Sequence, residues 1–327
     1  MPAAPEVASG MTGSQMRVPD FFIVGHPKSG TTALYEMLRE HPQIFMPGLK
    51  ETRFFAHELH PGLDFNTHPE TLEEYLALFG PARPEQLAGE ASPSYLRSQL
   101  AAARIAELQP DARIIAILRE PASFLRSLHL ELVQDRVEME VDFGRALAAD
   151  RLRPGLEQVD GKFARGGRRY SADRVQYVEQ LRRYHEVFPS ERVLVLIYDD
   201  FRADNAGTVK HVLSFLGVDD SSPIEAAEAN PSVRVRSVRA YRMLHALALG
   251  EGAGWGALKR ATTAVTPARP RRDGVRTLRR RVLLGQPRDA DEQLMFELQR
   301  GFKGEVEALS AYLDRDLVSL WGYDRLA

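Results

Sequence analysis

The sequence predicts an α/β protein built on a central parallel sheet. Three apolar runs, Phe21-Phe22-Ile23-Val24, Ala112 to Leu118 and Arg192 to Tyr198, are continuous rather than alternating, as strands covered on both faces must be. Segments of helical period follow each of them. Between the first run and its helix lies a short polar turn opened by Gly25, which makes a strand, a loop and a helix in succession. A helix N-terminus offers unpaired N–H groups and a partial positive charge, so a phosphate is the natural occupant of such a turn.

The 327 residues are 44% hydrophobic and 27% charged, with a net charge of −2, an ordinary globular composition. Near-neutral charge gives no global reason to expect nucleic acid or an anionic membrane as partner. The chain has no cysteine, which excludes disulfides, thiolate zinc sites and a cysteine nucleophile. Residues 1–19 are small, polar and proline-containing and read as a disordered lead-in, without the apolar core of a signal peptide. No window approaches the roughly eighteen apolar residues of a membrane span. A soluble, cytoplasmic protein is expected.

The turn itself is the most informative stretch. Its spacing is close to the nucleotide-triphosphate loop G-x-x-x-x-G-K-[ST], with Gly25 and Gly30 in register. Thr31 stands where that lysine belongs, and Lys28 lies inside the loop instead. A kinase uses its lysine on the β/γ-phosphates and the next hydroxyl on magnesium. A moved cation argues for a different ligand, without a γ-phosphate. The plainer alternative is a strand, turn and helix with a basic residue in the turn.

His41-Pro42 closes the first helix, because proline cannot continue it. Ile44-Phe45-Met46-Pro47 and then Lys50-Glu51-Thr52-Arg53-Phe54-Phe55 follow. Burial beside two phenylalanines would raise the Glu51 pKa, whereas Lys50 and Arg53 would lower it, a balance suited to a general base. The alternative is a solvated glutamate flanking core aromatics. His57-Glu58-Leu59-His60 lacks the spacing that puts two imidazoles on one zinc, so these and His68 read as surface histidines.

Thr71 to Phe79 has helical period, Gly89 to Leu96 reads as a strand end and turn, and Ser98 to Leu108 as an alanine-rich helix. Arg119 ends the second strong strand and Ser127 lies about two turns into the helix behind it. Ligands of open α/β sheets bind outside the carboxyl ends of the strands, where an arginine suits a bidentate phosphate contact. A salt bridge from Arg119 to Glu120 or Glu131 is the alternative. Residues 135–169 read as a helix-and-loop excursion, with the basic run Arg165 to Arg169. Asp173 to Phe188 and Val209 to Leu216 read as helices, the latter stopped by Gly217. Residues 267–281 are arginine-dense, and Asp289 to Trp321 reads as two helical segments. One domain over 20–327, with helical insertions at about 135–169 and 225–290, is the simplest division.

In this order, His26 to Thr32, Lys50 to Phe55 and Arg119-Glu120-Pro121 with Ser127 make the chain similar to the sulfotransferases that use 3′-phosphoadenosine 5′-phosphosulfate (PAPS). It resembles their heparan-type and bacterial branch more than the cytosolic phenol and steroid enzymes, over about residues 20–220. The resemblance implies a three-layer α/β/α, P-loop-like nucleotide-binding fold. It implies that Lys28, Ser29, Gly30, Thr31 and Thr32 hold the 5′-phosphosulfate, with Lys28 on the bridging oxygen. Arg119 and Ser127 would hold the 3′-phosphate, and Glu51 would take the proton of an acceptor hydroxyl or, less readily, an amine. No metal is then required. The implied acceptor is a small molecule, lipid or carbohydrate, and a bacterial enzyme tailoring a secondary metabolite fits this branch.

Two positions depart from the pattern. Phe124 stands where a second arginine is common, with Arg126 nearby, and Ala91 stands where heparan enzymes carry a lysine linked to their anionic sugar chain. A glycine-rich 3′-phosphate loop is matched at best by Arg272-Asp273-Gly274 to Arg276. The rival readings are a P-loop kinase-like phosphotransferase, disfavoured by Thr31, and a non-catalytic nucleotide or polyanion binder using residues 267–281.

Overall fold

The apolar runs form the strands they predict. In the computed structural model, which describes residues 17–59, 68–135, 137–152, 169–221, 234–235, 284–285 and 292–326, β1 is Phe21–Gly25, β2 Ile44–Phe45, β3 Leu87–Ala91, β4 Arg113–Leu118 and β5 Val193–Ile197. They make one sheet in the order β2-β3-β1-β4-β5, and every neighbouring pair is parallel. Phe21 pairs with Gly89 on one side and Arg113 on the other, and Ile114 pairs with Val193. Because all five strands run the same way, their carboxyl ends share one edge.

Successive side chains of a strand point to opposite faces, and the core divides accordingly. Phe21, Ile23, Ile115 and Ile117 pack with Leu34, Met37 and Leu38 of α1 (Thr31–Arg39) and with Val209, Val212 and Leu216 of the helix at 205–216. Phe22, Val24, Ile114, Ala116 and Leu118 pack with Ile105, Phe124, Leu181, Tyr184, Val306 and Leu309. Each fully buried aliphatic or aromatic side chain of these layers is worth about 1.5–3 kcal/mol. The three-layer α/β/α arrangement is thus present.

Among the described residues the remaining α-helices are α2 Leu72–Ala77, α3 Ala101–Leu108, α4 Pro121–Gln134, α5 Phe143–Asp150, α6 Tyr177–His185, α7 Tyr198–Ala203, α8 Asn205–Leu216, α9 Glu292–Tyr312 and α10 Leu317–Leu320. Helix α2 starts at a capping box between Thr71 and Glu74. Three expectations change. The helix expected over 173–188 begins only at Tyr177, behind a 3-10 turn at Ala172–Arg174, and ends before Pro189. Helix α8 begins four residues earlier than its apolar stripe, because the Asp204 carboxylate accepts from Gly207 N at 2.8 Å and caps it. Helix α7 was not foreseen, since Asp199, Asp200 and Arg202 give it no apolar period.

Helix α9 lies against α4 and α6, so the end of the chain covers the same face of the sheet. A two-stranded antiparallel ladder joins β6 (Arg234–Val235) to β7 (Leu284–Gly285). No helix among the described residues is long and apolar enough to cross a membrane. Of the expected lead-in, 1–16 lie outside the described residues, whereas Arg17 bonds Asp20 at 2.6 Å and the Gln86 carbonyl at 2.8 Å. His60, Arg165 to Arg168, the arginine-dense 267–281 with Arg272 to Arg276, and most of 225–290 also lie outside the described residues.

Candidate active site

The turn after β1 is held from three directions. His26 is 1% exposed, its Nε2 shares a 2.8 Å hydrogen bond with the Arg174 carbonyl, and its ring meets Phe124 edge-on at 4.2 Å. Burial pushes its pKa down to about 3, so it is a neutral post rather than an acid or base. This contact also assigns Phe124 to the core, in place of the second arginine. Gly25 has no room for a side chain, since an added Cβ would stand 2.5 Å from the Leu96 Cβ. Gly30, at φ +86°, leads into α1, and among the described residues no side chain caps that helix. Ser29 and Thr31 are buried and Thr32 half-buried at the same turn.

Lys28 adopts φ 62°, the left-handed region that non-glycine residues seldom occupy. Its carbonyl accepts from Arg119 Nη1 at 2.9 Å, which ties the end of β4 to the turn after β1. The Arg119 guanidinium carbon stands 4.7 Å from the centroid of the Tyr198 ring, at the end of β5, and its own carbonyl accepts from the Tyr177 hydroxyl at 2.9 Å. Burial draws its pKa down from the usual arginine value, against nearby Tyr198 and Asp199.

The salt-bridge alternative for Arg119 is not what forms. Glu120 caps α4 by accepting from Ala122 N at 2.9 Å and Ser123 N at 2.6 Å, and also accepts from the Tyr323 hydroxyl. Glu131 pairs with Lys28 instead, Oε1 to Nζ at 3.3 Å. Among the described residues Arg119 therefore has no carboxylate partner. Ser127 lies buried on α4, one turn before Glu131.

The Lys50 to Phe55 loop docks on the end of β3. Glu51 N donates to the Ala91 carbonyl at 2.9 Å and Arg53 N to Ser92 Oγ at 3.1 Å. Beneath it Glu90 is buried and accepts from Ser92 Oγ at 2.6 Å and Thr52 Oγ1 at 3.1 Å, while Thr52 also bonds the Tyr95 hydroxyl. Glu51 and Arg53 take φ 62° and 58°. Lys28, Glu51 and Arg53 thus all carry backbone strain, which commonly collects at functional sites.

The Glu51 carboxylate is held by Lys50 Nζ at 2.7 Å and Arg53 Nη2 at 3.1 Å. Burial pushes its pKa up, but these two cations together outweigh burial and leave it below the usual carboxylate range. Glu131 is shifted the other way: burial raises it, Lys28 opposes, and Asp135 and Glu51 add to the rise. Glu51 and Glu131 are therefore close enough to feel one another, with Lys28 on Glu131.

Sequence reasoning put Lys28 and Gly30 in the turn after a strand, Arg119 at a strand's carboxyl end and Ser127 about two turns into the following helix, where the structure has them. It named Glu131 only as a partner for Arg119 and gave no role to His26, Glu90, Tyr177 or Tyr198. One signal for Glu131 was available, since a residue four after Ser127 shares its helix face. Among the described residues no group of three or more histidines and carboxylates is arranged to hold a metal.

A parallel sheet with a glycine-bounded anion turn at the end of its central strand defines a nucleotide-binding α/β protein. A family model described as the sulfotransferase family matches residues 19–222, and the chain belongs to that family. Heparan sulfate glucosamine 3-O-sulfotransferase 6 of Homo sapiens is 30% identical over 218 residues, covering 66% of this chain and 57% of that protein. Its Mus musculus counterpart is 32% identical over 213 residues, covering 65% and 55%. The matched segment spans about half the length of these curated relatives. The crystal structure of a sulfotransferase from Alicyclobacillus acidocaldarius superposes with a TM-score of 0.66 at 25% identity, covering 93% of this chain and 98% of that one.

Proposed function

We propose that the chain transfers a sulfuryl group from PAPS to a hydroxyl of a small-molecule, lipid or carbohydrate acceptor. The observation that carries this reading is the 2.9 Å bond from Arg119 to the Lys28 carbonyl. It ties the Arg119 guanidinium to the backbone of the turn that carries Lys28, and among the described residues Arg119 forms no ion pair. A nucleotide with phosphates at both ends of its ribose needs two such cations, and the turn itself fits it: Gly30 has no side chain to cap α1, and among the described residues no other side chain does so. In this reading Lys28 and the turn through Ser29, Gly30, Thr31 and Thr32 take the 5′ end, and Arg119 with Ser127 takes the 3′-phosphate.

Glu51 accepts the proton of the acceptor hydroxyl as its oxygen bonds to sulfur. Lys28 donates to the bridging oxygen, which receives the electron pair of the breaking S–O bond. A depressed pKa keeps Glu51 ionised at neutral pH and ready to accept, at some cost in base strength. The donor supplies the sulfuryl group; positioning and the cation at the leaving oxygen are the protein's part. The named relatives are heparan sulfate enzymes. Ala91, buried at the end of β3, supports an acceptor other than a heparan-like polyanion.

Two measurements test this. Adenosine 3′,5′-bisphosphate at a hundredfold over its Kd should stabilise the protein by about 2.7 kcal/mol in thermal unfolding, while ATP with magnesium should not. Stabilisation by ATP-magnesium alone would reverse the reading in favour of a phosphotransferase. In an acceptor screen with labelled donor, Lys28→Ala should lower turnover by roughly 10²–10³. Glu51→Gln should abolish it with the fold intact; an active Glu51→Gln enzyme would remove the general-base role.

A further inference from the structure

We propose that Glu131 is a positioning residue for Lys28, and that it sets how tightly the protein grips the 5′ end of its nucleotide and how fast the spent nucleotide leaves. The inference rests on the sulfotransferase reading, because it concerns the cation which that reading assigns to the leaving oxygen.

The geometry is specific. Lys28 and Glu131 are 103 residues apart in sequence and meet at 3.3 Å. The lysine backbone is fixed, with its carbonyl bonded by Arg119 and its φ at 62°. The ammonium therefore departs from a set point, and Glu131 is the acid that it meets among the described residues. Glu131 stands one turn beyond Ser127 on the same face of α4, so the helix that presents the 3′-phosphate serine also presents the counter-charge for the 5′ cation. The two side chains keep 24% and 39% of their accessible surface, so the pair is partly withdrawn from water, unlike an ion pair on open surface.

An ammonium has three protons, and Glu131 engages one direction of its charge. Lys28 thus offers a ground-state donor, whose bridging oxygen carries little charge, only part of its attraction. That attraction grows as the S–O bond breaks and negative charge gathers on the oxygen, and only such a growing interaction raises kcat. After transfer, the same partial neutralisation loosens the hold of Lys28 on the 5′-phosphate and favours release, a step that limits many well-evolved enzymes.

Calorimetric titration of wild type, Glu131→Gln and Glu131→Ala with adenosine 3′,5′-bisphosphate and with adenosine 3′-monophosphate tests the assignment. Both variants should bind the bisphosphate roughly tenfold more tightly and the monophosphate, which has no 5′ group, as wild type does. In steady state the donor KM and kcat should fall together. On a Lys28→Met background Glu131→Gln should shift bisphosphate affinity by less than about twofold, since its action runs through the lysine. Unchanged or weaker bisphosphate binding in the single variants, or tightening that persists without the lysine, overturns the role of Glu131. Failure of the wild type itself to bind the bisphosphate removes the underlying reading.

Discussion

Glu90 and His26 are each 1% exposed, and their titrations oppose one another. Burial raises Glu90 to about 7, against hydrogen bonds from Ser92, Thr52 and Tyr95, and lowers His26 to about 3. Between about pH 4.5 and 7 the folded protein holds a proton on Glu90 that the unfolded chain has lost, so this group favours folding less as pH rises. Between about pH 6.5 and 3 the unfolded chain holds a proton on His26 that the folded protein refuses, so this group favours folding more as pH rises. Where the windows overlap, about pH 4.5–6.5, the two slopes nearly cancel. Glu90→Gln should expose the histidine term: relative to wild type, stability should fall by about 1.4 kcal/mol per pH unit on acidification through that window, read from urea midpoints. Parallel pH profiles would show that Glu90 is not protonated in the folded protein. Neither residue announces itself in sequence, because burial of a charge depends on what packs over it.

Of the elements, β1, β4 and β5 were legible because buried parallel strands leave unbroken apolar runs, and α1, α4 and α9 because their stripes are long. Strand β2, two residues long, and the unstriped α7 were not. The turn after β1 was legible through its glycines and misplaced lysine, whereas the Lys28–Glu131 pair depends on how α4 crosses the sheet, which no local pattern encodes. The segment after α9 was read only as pattern, yet it reaches the start of α4 and helix α7. Tyr323 donates to Glu120 at the start of α4, Trp321 Nε1 to Asp199 at 2.9 Å, and Arg315 pairs with Asp200 in α7. Tyr323→Phe removes one partner from a buried carboxylate and should cost about 1–3 kcal/mol in denaturant unfolding. Because Glu120 adjoins Arg119, the donor KM should rise with kcat nearly unchanged. An unaltered KM would confine this hydroxyl to stability.

At the scale of the whole molecule, parallel strands put the turn after β1, the Lys50 to Phe55 loop, Arg119 and Tyr198 on one edge. Bisphosphate should therefore slow amide exchange in a one-sided pattern, at 29–34, 119–123 and 127–131, and leave β2 and the far ends of the helices unchanged. Protection spread evenly over the sheet would point to global stabilisation alone. The bond from Tyr323 to Glu120 also spans 203 residues of chain. During synthesis at about 5–20 residues per second, Glu120 waits roughly 10 to 40 s for that partner to be made. For that interval the Glu120 carboxylate has only the α4 amides of Ala122 and Ser123 as partners, so this clasp closes only after α9 and α10 have been made.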